Sequence, residues 1–260
     1  MSNDFTIRCL YVHDDFYIVN KPSGVNFHDE GELGAGFFNQ CCHFYSETLY
    51  PVHRLDKLTS GLIILARNQR SAQWFQRAFE NHQIDKFYVA LSTSKPKKKQ
   101  GAIVGDMEKS RRSQWKLKQS KVAPALTQFF SFSISTQSKS QQQSRLFVLK
   151  PLTGKTHQLR VALKSLGSPI LGDELYGGRA ADRGYLHAAR VVFNYEGNVV
   201  DAHSVPTTGQ NFIDCLELVT EKIATAFDLG WPRIKFNRQS ATRNEHLTQS
   251  VNSVSKRREQ

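Results

Sequence analysis

Apolar residues along the chain change their period several times, and each change predicts an element. Between Cys9 and Asn20 two β-rich runs, CLYVH and FYIVN, flank Asp14 and Asp15, the pattern of a hairpin. KPSGV (21–25) ends it, because Pro22 and Gly24 favour a tight corner. GLIILA (61–66) is a continuous apolar run of buried-strand length. Asn68 stands where a helix cap is expected, ahead of Ala72, Phe75, Ala78 and Phe79 at helical spacing. Strand character returns in KFYVAL (86–91), in Leu126–Ile134 and in RLFVLKP (145–151). Gly154 and Gly167 bracket a helix. YLHAARVVF (185–193) alternates as a strand does, and Phe212, Leu216, Val219, Ile223 and Phe227 fall on one face of a last amphipathic helix.

Strands and helices mix here without a strict βαβ repeat and without a GxGxxG loop. That combination predicts an α+β fold rather than a doubly wound nucleotide-binding sheet. The 260 residues are enough to bury a substantial core. The pattern divides them into one domain over 1–230 and a polar, basic tail over 231–260, expected to be flexible because periodicity ends at Trp231.

Charge narrows the class of partner. Thirty-five Lys and Arg against 23 Asp and Glu leave a formal charge of +12, which suits a polyanion. Solubility alone accounts for such an excess in many proteins, but here the cations cluster. Lys95, Lys97, Lys98 and Lys99 open a basic stretch that runs through Lys109, Arg111, Arg112, Lys116, Lys118 and Lys121, with Trp115 among them as a stacking surface. A second cluster lies at Lys256–Arg258. No apolar face accompanies these runs and no apolar run approaches the roughly 20 residues of a membrane span, so no membrane partner is expected. The first ten residues lack the pattern of a secretory signal, and the four cysteines contain no CxxC pair. Neither a metal site nor a disulfide framework is predicted, and a reducing cytoplasm is the expected location.

The candidate chemistry centres on PVHRLDKLTSGL (51–62). Arg54 and Asp56 are two apart, on one face of an extended segment, just ahead of a Thr-Ser-Gly turn. On this stretch alone a surface ion pair, worth under about 1 kcal/mol, explains them as well as catalysis does. Familiar catalytic layouts do not fit the rest of the chain. No second carboxylate is marked out as a glycosidase partner, the nine histidines are scattered, and the G-x-S-x-G elbow is absent. What remains is a lone carboxylate in a basic surface suited to a polyanion such as RNA.

HRLDKLTSGL (53–62) resembles the signature of the RluA family of RNA pseudouridine synthases, and four further blocks match in order. They are NKPSGV (20–25), KFYVAL (86–91), KPLTGKTHQLRVAL (150–163), and LGDELYGG (171–178) followed by YLHA (185–188). The resemblance covers roughly residues 9–220. It implies the pseudouridine synthase fold, a mixed, mostly antiparallel bent sheet flanked by helices around a central catalytic cleft. It implies the isomerisation of uridine to pseudouridine in ribosomal or transfer RNA, with no cofactor and no metal.

By the same resemblance Asp56 is the catalytic aspartate, acting on C1′ as nucleophile or as the base that starts glycal formation. Arg160 pairs with it. Tyr88 stacks on the target base, and its hydroxyl is a candidate for proton removal from C5. Arg54 fills the space left by the everted nucleotide, and Leu186 packs against the uracil. Lys21 and Pro22 shape and buttress the floor of the site, and Lys21 is counted with Arg54, Leu186 and Lys155 among the substrate-binding residues. At the start of the helix that follows Gly154, Lys155 and the amides of residues 156–158 can receive a phosphate, and simple helix capping explains them equally well; His53 orients the loop without a chemical role. Position 155 holds lysine where arginine is frequent, Ala162 replaces a frequent histidine, and NFHDEGE (26–32) departs from the pattern. The first motif begins within about twenty residues of Met1, so no N-terminal ribosomal-protein-like RNA-binding module is expected, and a monomer is the expected state. Two competing readings are a non-catalytic RNA-binding or RNA-folding protein of the same fold, and a base-excising N-glycosylase.

Overall fold

The structure, a computed structural model, describes residues 6–111, 113–134 and 144–232. Its strands follow the apolar runs. The first hairpin is β1 (Arg8–Val12) and β2 (Phe16–Lys21), joined at Asp14 and Asp15. After helix α1 (Phe37–Tyr45) and the short β3 (Tyr50–Pro51) comes β4 (Ser60–Ala66), buried along its whole length. Helix α2 (Gln69–Glu80) starts at Asn68, whose side chain accepts a hydrogen bond from the Ser71 amide at 2.8 Å, and turns Phe75 and Ala78 inward. Next are β5 (Asp85–Ser92), β6 (Gln100–Gly105), a small hairpin of β7 (Met107–Lys109) and β8 (Trp115–Leu117), β9 (Ala125–Ser133) and β10 (Arg145–Pro151). The chain closes with α3 (Gln158–Ser165), a 3-10 turn (Glu174–Tyr176), β11 (Leu186–Tyr195), β12 (Asn198–His203), α4 (Gln210–Ile213) and α5 (Leu216–Ala224).

Among the described residues ten strands form one mixed sheet in the order β1-β2-β4-β11-β5-β10-β9-β6, with β12 beside β11 and β3 beside β4. Its pairings are antiparallel except where β11 meets β4, at His187 with Ser60 and Ala188 with Gly61. That crossing sets the geometry of the site, because β4 is entered directly from the loop that carries Asp56. Gly61 is required there. Its φ is +109°, and a Cβ would collide with the backbone of Ala188. Two apolar clusters meet at this seam, one containing Phe16, Phe75 and Phe193, the other Phe87, Phe147 and Phe212, and Tyr88 packs against both.

Several expectations need correction. The last amphipathic helix is two short ones. The chain leaves helical geometry at Cys215 (φ −125°, ψ 28°), which seats Phe212 and Val219 in the core and leaves Leu216 partly exposed. The helix expected from Gly154 begins only at Gln158, after His157 adopts a left-handed conformation. β11 does not alternate in burial: its first eight residues are all buried, so both faces of the strand are covered. Helix α1 was not signalled because it starts at Gly36 with no capping side chain. Residues 138–143 of the polar Ser/Gln-rich segment SKSQQQS (138–144), Arg112 of the basic stretch, and the expected tail from 233 onward, with its cluster at Lys256–Arg258, lie outside the described residues. Among the described residues no helix is long and apolar enough to cross a membrane.

Candidate active site

The Asp56 loop is held from beneath by the corner after β2. Lys21 is completely buried, and its ammonium donates to the carbonyls of Pro22 (2.8 Å), Lys57 (3.3 Å) and Thr59 (2.9 Å). Ser23 Oγ donates to the Leu58 carbonyl at 2.6 Å, and the Gly24 amide to the Lys57 carbonyl at 2.8 Å. His53 accepts from the Ile64 amide through Nε2 at 2.9 Å, tying the loop to β4. Expected both to buttress the floor of the site and to contact substrate, Lys21 is placed for the first alone: its three donors are spent on backbone, and its side chain is fully buried. Burial pulls its pKa down to about 7, against the pull of Asp56 in the opposite sense.

β11 braces the other side of the loop. His187 is buried, with Nε2 at 3.0 Å from the Ser204 carbonyl and Nδ1 at 2.7 Å from Ser60 Oγ. A carbonyl can only accept, so Nε2 carries the proton and Ser60 donates to Nδ1. Burial drops the His187 pKa to about 3. The unfolded chain binds a proton here from pH about 6.5 downward, while the folded chain refuses it until pH about 3. This contribution to stability is thus complete above pH about 6.5 and is lost as pH falls through that window. Melting curves at pH 7 and pH 4 are expected to differ more for the wild type than for His187→Gln; equal acid sensitivity of the two would contradict the buried neutral imidazole.

Arg160 comes from the first turn of α3. Its main partner is a residue that sequence reasoning passed over. Asp173 receives Nε and Nη2 in a two-pronged pair, both at 2.8 Å, while Nη1 reaches Asp56 Oδ2 at 3.5 Å. The side chains of Arg160 and Asp173 are 7% and 1% exposed. Burial opposes the guanidinium's charge, but the Asp173 bonds and charge, with Asp56 adding, hold its pKa above the ordinary value. Tyr176 lies under the same guanidinium, 4.9 Å from its ring centre, and its hydroxyl is 2.8 Å from His157 Nδ1. The Trp115 amide donates to that hydroxyl at 2.9 Å, so the basic β7–β8 hairpin is tied to the site. Within that hairpin Lys116 and Lys118 are paired with Glu108.

Two hollows meet at Asp56. The smaller, of about 450 Å³, is lined by Tyr88 and Leu186 and by Lys86 and Lys155. The larger, of about 880 Å³, extends past Lys57 toward Arg183 and Thr208, with part of the NFHDEGE loop on its rim. Arg54, Asp56, His157 and Arg160 border both. Tyr88, Arg160, Arg54, Leu186 and Lys155 are thus brought together around one carboxylate. Arg54 is exposed at the mouth, and Lys155 is exposed with its amide bonded to Gln158 Oε1 at 3.0 Å. Burial first, and the nearby Asp56 charge second, push the Tyr88 phenol well above its ordinary pKa. Lys86 is pulled down to about 8 by burial.

The carboxylates around the cleft differ in what they are free to do. Asp173 gives both oxygens to Arg160. Asp29 is bonded to the Gly34 and Gly36 amides and Asn39, and Asp182 to Tyr185 and the Gln210 amide. Asp56 is 26% exposed and has one long contact, to Arg160; among the described residues its Oδ1 has no hydrogen-bond partner. Asp56 keeps one oxygen available for chemistry, while Asp173, Asp29 and Asp182 have both of theirs bonded.

Comparison with known proteins decides the family. Residues 15–165 match the family model described as RNA pseudouridylate synthase. An uncharacterized RNA pseudouridine synthase of Haemophilus influenzae is 49% identical over 209 residues, 80% of this chain and 91% of that protein. The chain belongs to the RNA pseudouridylate synthases. Ribosomal large subunit pseudouridine synthase C of Rickettsia bellii is 31% identical over 71% of this chain and 63% of that protein. Human RNA pseudouridylate synthase domain containing 1 has the same fold, with a TM-score of 0.67 at 22% identity over 95% of each chain.

The protein is thus an RNA pseudouridine synthase, an isomerase whose substrate is RNA. Its fold is the mixed, mostly antiparallel sheet with helices that the resemblance implied. His157 and Lys86 line the cleft of this pseudouridine synthase, and Asp173 and Tyr176 support Arg160 from behind it. All four lie inside the matched sequence blocks, at LGDELYGG, THQLR and KFYVAL, which was the available signal. What the blocks did not carry was which partner each side chain takes across the fold.

Proposed function

We propose that this pseudouridine synthase everts a uridine from structured RNA and isomerises it at Asp56, in ribosomal or transfer RNA, as a cytoplasmic enzyme. The observation that carries the assignment is the unengaged Oδ1 of Asp56 at the junction of two hollows. The reaction breaks C1′–N1, turns the uracil, and forms C1′–C5; C5 then gives up its hydrogen and N1 acquires one. The free carboxylate oxygen starts it by meeting C1′ or by taking the 2′ hydrogen. Arg160 is oriented by Asp173, which leaves Nη1 to hold Asp56 in place without covering both of its oxygens. With both oxygens of Asp173, Asp29 and Asp182 engaged, these aspartates do not activate water beside C1′, which favours return of the base over hydrolysis.

In the smaller hollow Tyr88 and Leu186 present an apolar slot for a flat base. Arg54 at the mouth is placed to enter the stack that the target vacates, offsetting an eversion cost of a few kcal/mol. Tyr88→Phe keeps the ring and removes the hydroxyl that stands beside Asp56. RNA affinity is expected within about twofold of wild type, and turnover down by about 100-fold, the usual worth of a positioned proton carrier. Full turnover in this variant would restrict Tyr88 to stacking. The four unpaired cysteines fit a reducing compartment. Mapping pseudouridines in total RNA from cells with and without the gene tests the proposal and names the target. A position lost with the gene and regained with the wild type supports it; an unchanged map opposes it.

A further inference from the structure

Behind the Asp56 loop lies a third hollow, of about 500 Å³, that the reaction does not use. Arg8, Lys21 and Arg183 line it, and no Asp or Glu does. Lys21 gives its protons to carbonyls, as described. Arg183 gives four of its five N–H groups to neutral acceptors: Nε to the Gly184 carbonyl, Nη1 to the Thr208 carbonyl and hydroxyl, and Nη2 to Ser60 Oγ at 2.6 Å. Among the described residues it has no carboxylate within ion-pair distance, and burial pulls its pKa below the ordinary value. Arg8 is exposed on β1, and among the described residues its guanidinium has neither hydrogen bond nor ion pair. Arg183 is a half-buried guanidinium whose hydrogen bonds all go to neutral oxygens, with the charge of Asp182 acting only from beyond ion-pair distance; with the second, free guanidinium of Arg8, positive charge is in excess in this hollow. In a closed protein such a charge is costly unless an anion meets it.

The position of Arg183 indicates the kind of anion. Arg183 and Thr208 line both this hollow and the large compartment that opens from Asp56. A strand leaving the active site through the large compartment passes them. We propose that Arg183, Arg8 and the Thr208 hydroxyl form a phosphate-binding site behind the catalytic loop. The fifth N–H of Arg183 and the fork of Arg8 bind two oxygens, and the group bound is a phosphodiester of the substrate strand or free phosphate. Because Ser60 joins Arg183 to the end of the Asp56 loop, a filled site steadies that loop from the back. The inference needs RNA binding but not isomerisation, so a failure of the proposed chemistry leaves it standing.

The test uses the full chain with Arg8→Gln, which removes an exposed, unpartnered side chain, and with Arg183→Gln, checked by its melting curve. Inorganic phosphate titrated calorimetrically is expected to give a saturable isotherm that Arg8→Gln weakens at least tenfold. RNA affinity is measured in parallel over a range of KCl concentrations. If the strand's phosphate occupies the site, each variant lowers the log-log salt slope by about 0.7. A changed slope with an unchanged phosphate isotherm assigns the site to the strand. A weakened isotherm with an unchanged slope assigns it to free phosphate. If Arg8→Gln alters neither, the site does not exist.

Discussion

Asp56→Asn is expected to abolish pseudouridine formation, with turnover at least ~10,000-fold down, while the affinity for RNA stays within about twofold of wild type. The carboxamide occupies the same space and can still face Arg160, so the loop held by Lys21, Ser23 and His53 is not disturbed. What it loses is the oxygen that initiates cleavage of C1′–N1, and losing a reacting group costs more than losing one that orients it. Turnover is checked by quantifying pseudouridine in digested RNA, and affinity by filter binding on the same RNA. A variant that turned over at the wild-type rate would remove Asp56 from the chemistry.

Asp173→Asn is expected to have the second-largest effect, and on two readouts at once. Arg160 would keep its charge in a nearly buried site while losing the carboxylate that takes two of its hydrogen bonds. Breaking a buried pair from one side costs about 3–5 kcal/mol, less where an acceptor oxygen survives, as it does in asparagine. A loss of about 3 kcal/mol lowers the melting temperature of a chain this size by roughly 10 °C. The freed guanidinium would then turn to the nearest remaining carboxylate, which is Asp56, and cover the oxygen that must stay available. Turnover should therefore fall even at temperatures where the variant is fully folded, with RNA affinity unchanged. Wild-type melting and turnover together would show that Asp173 is not what orients Arg160.

Much of the fold was legible because local signals agreed with one another. The Asp14–Asp15 turn between two β-rich runs, the cap at Asn68 and the continuous apolar run of β4 each fix an element without help from distant residues. Legibility failed where tertiary contacts decide. Cys215 interrupts a helical stripe whose spacing alone reads as unbroken, and α1 begins at a glycine that a side chain does not cap. The site divides in the same way. Asp56, Tyr88 and Arg160 could be named from motifs, but the sequence placed Arg160 on Asp56, whereas its close partner is Asp173. Lys21 was read as a buttress that also meets substrate, and all its donors go to the buttress, turning inward to three carbonyls. Spacing along a chain says which residue types are present; only packing says which of their hydrogen-bonding groups are already taken.

The most direct measurement follows the hydrogen on C5. RNA labelled with tritium at uracil C5, prepared from cells lacking the gene, is incubated with the purified protein, and released tritium, pseudouridine and free uracil are counted together. Reattachment of the base through C5 predicts one tritium released to water for each pseudouridine formed, no free uracil, and none of this with Asp56→Asn. Free uracil appearing in place of pseudouridine, or tritium release that persists in Asp56→Asn, would contradict the account.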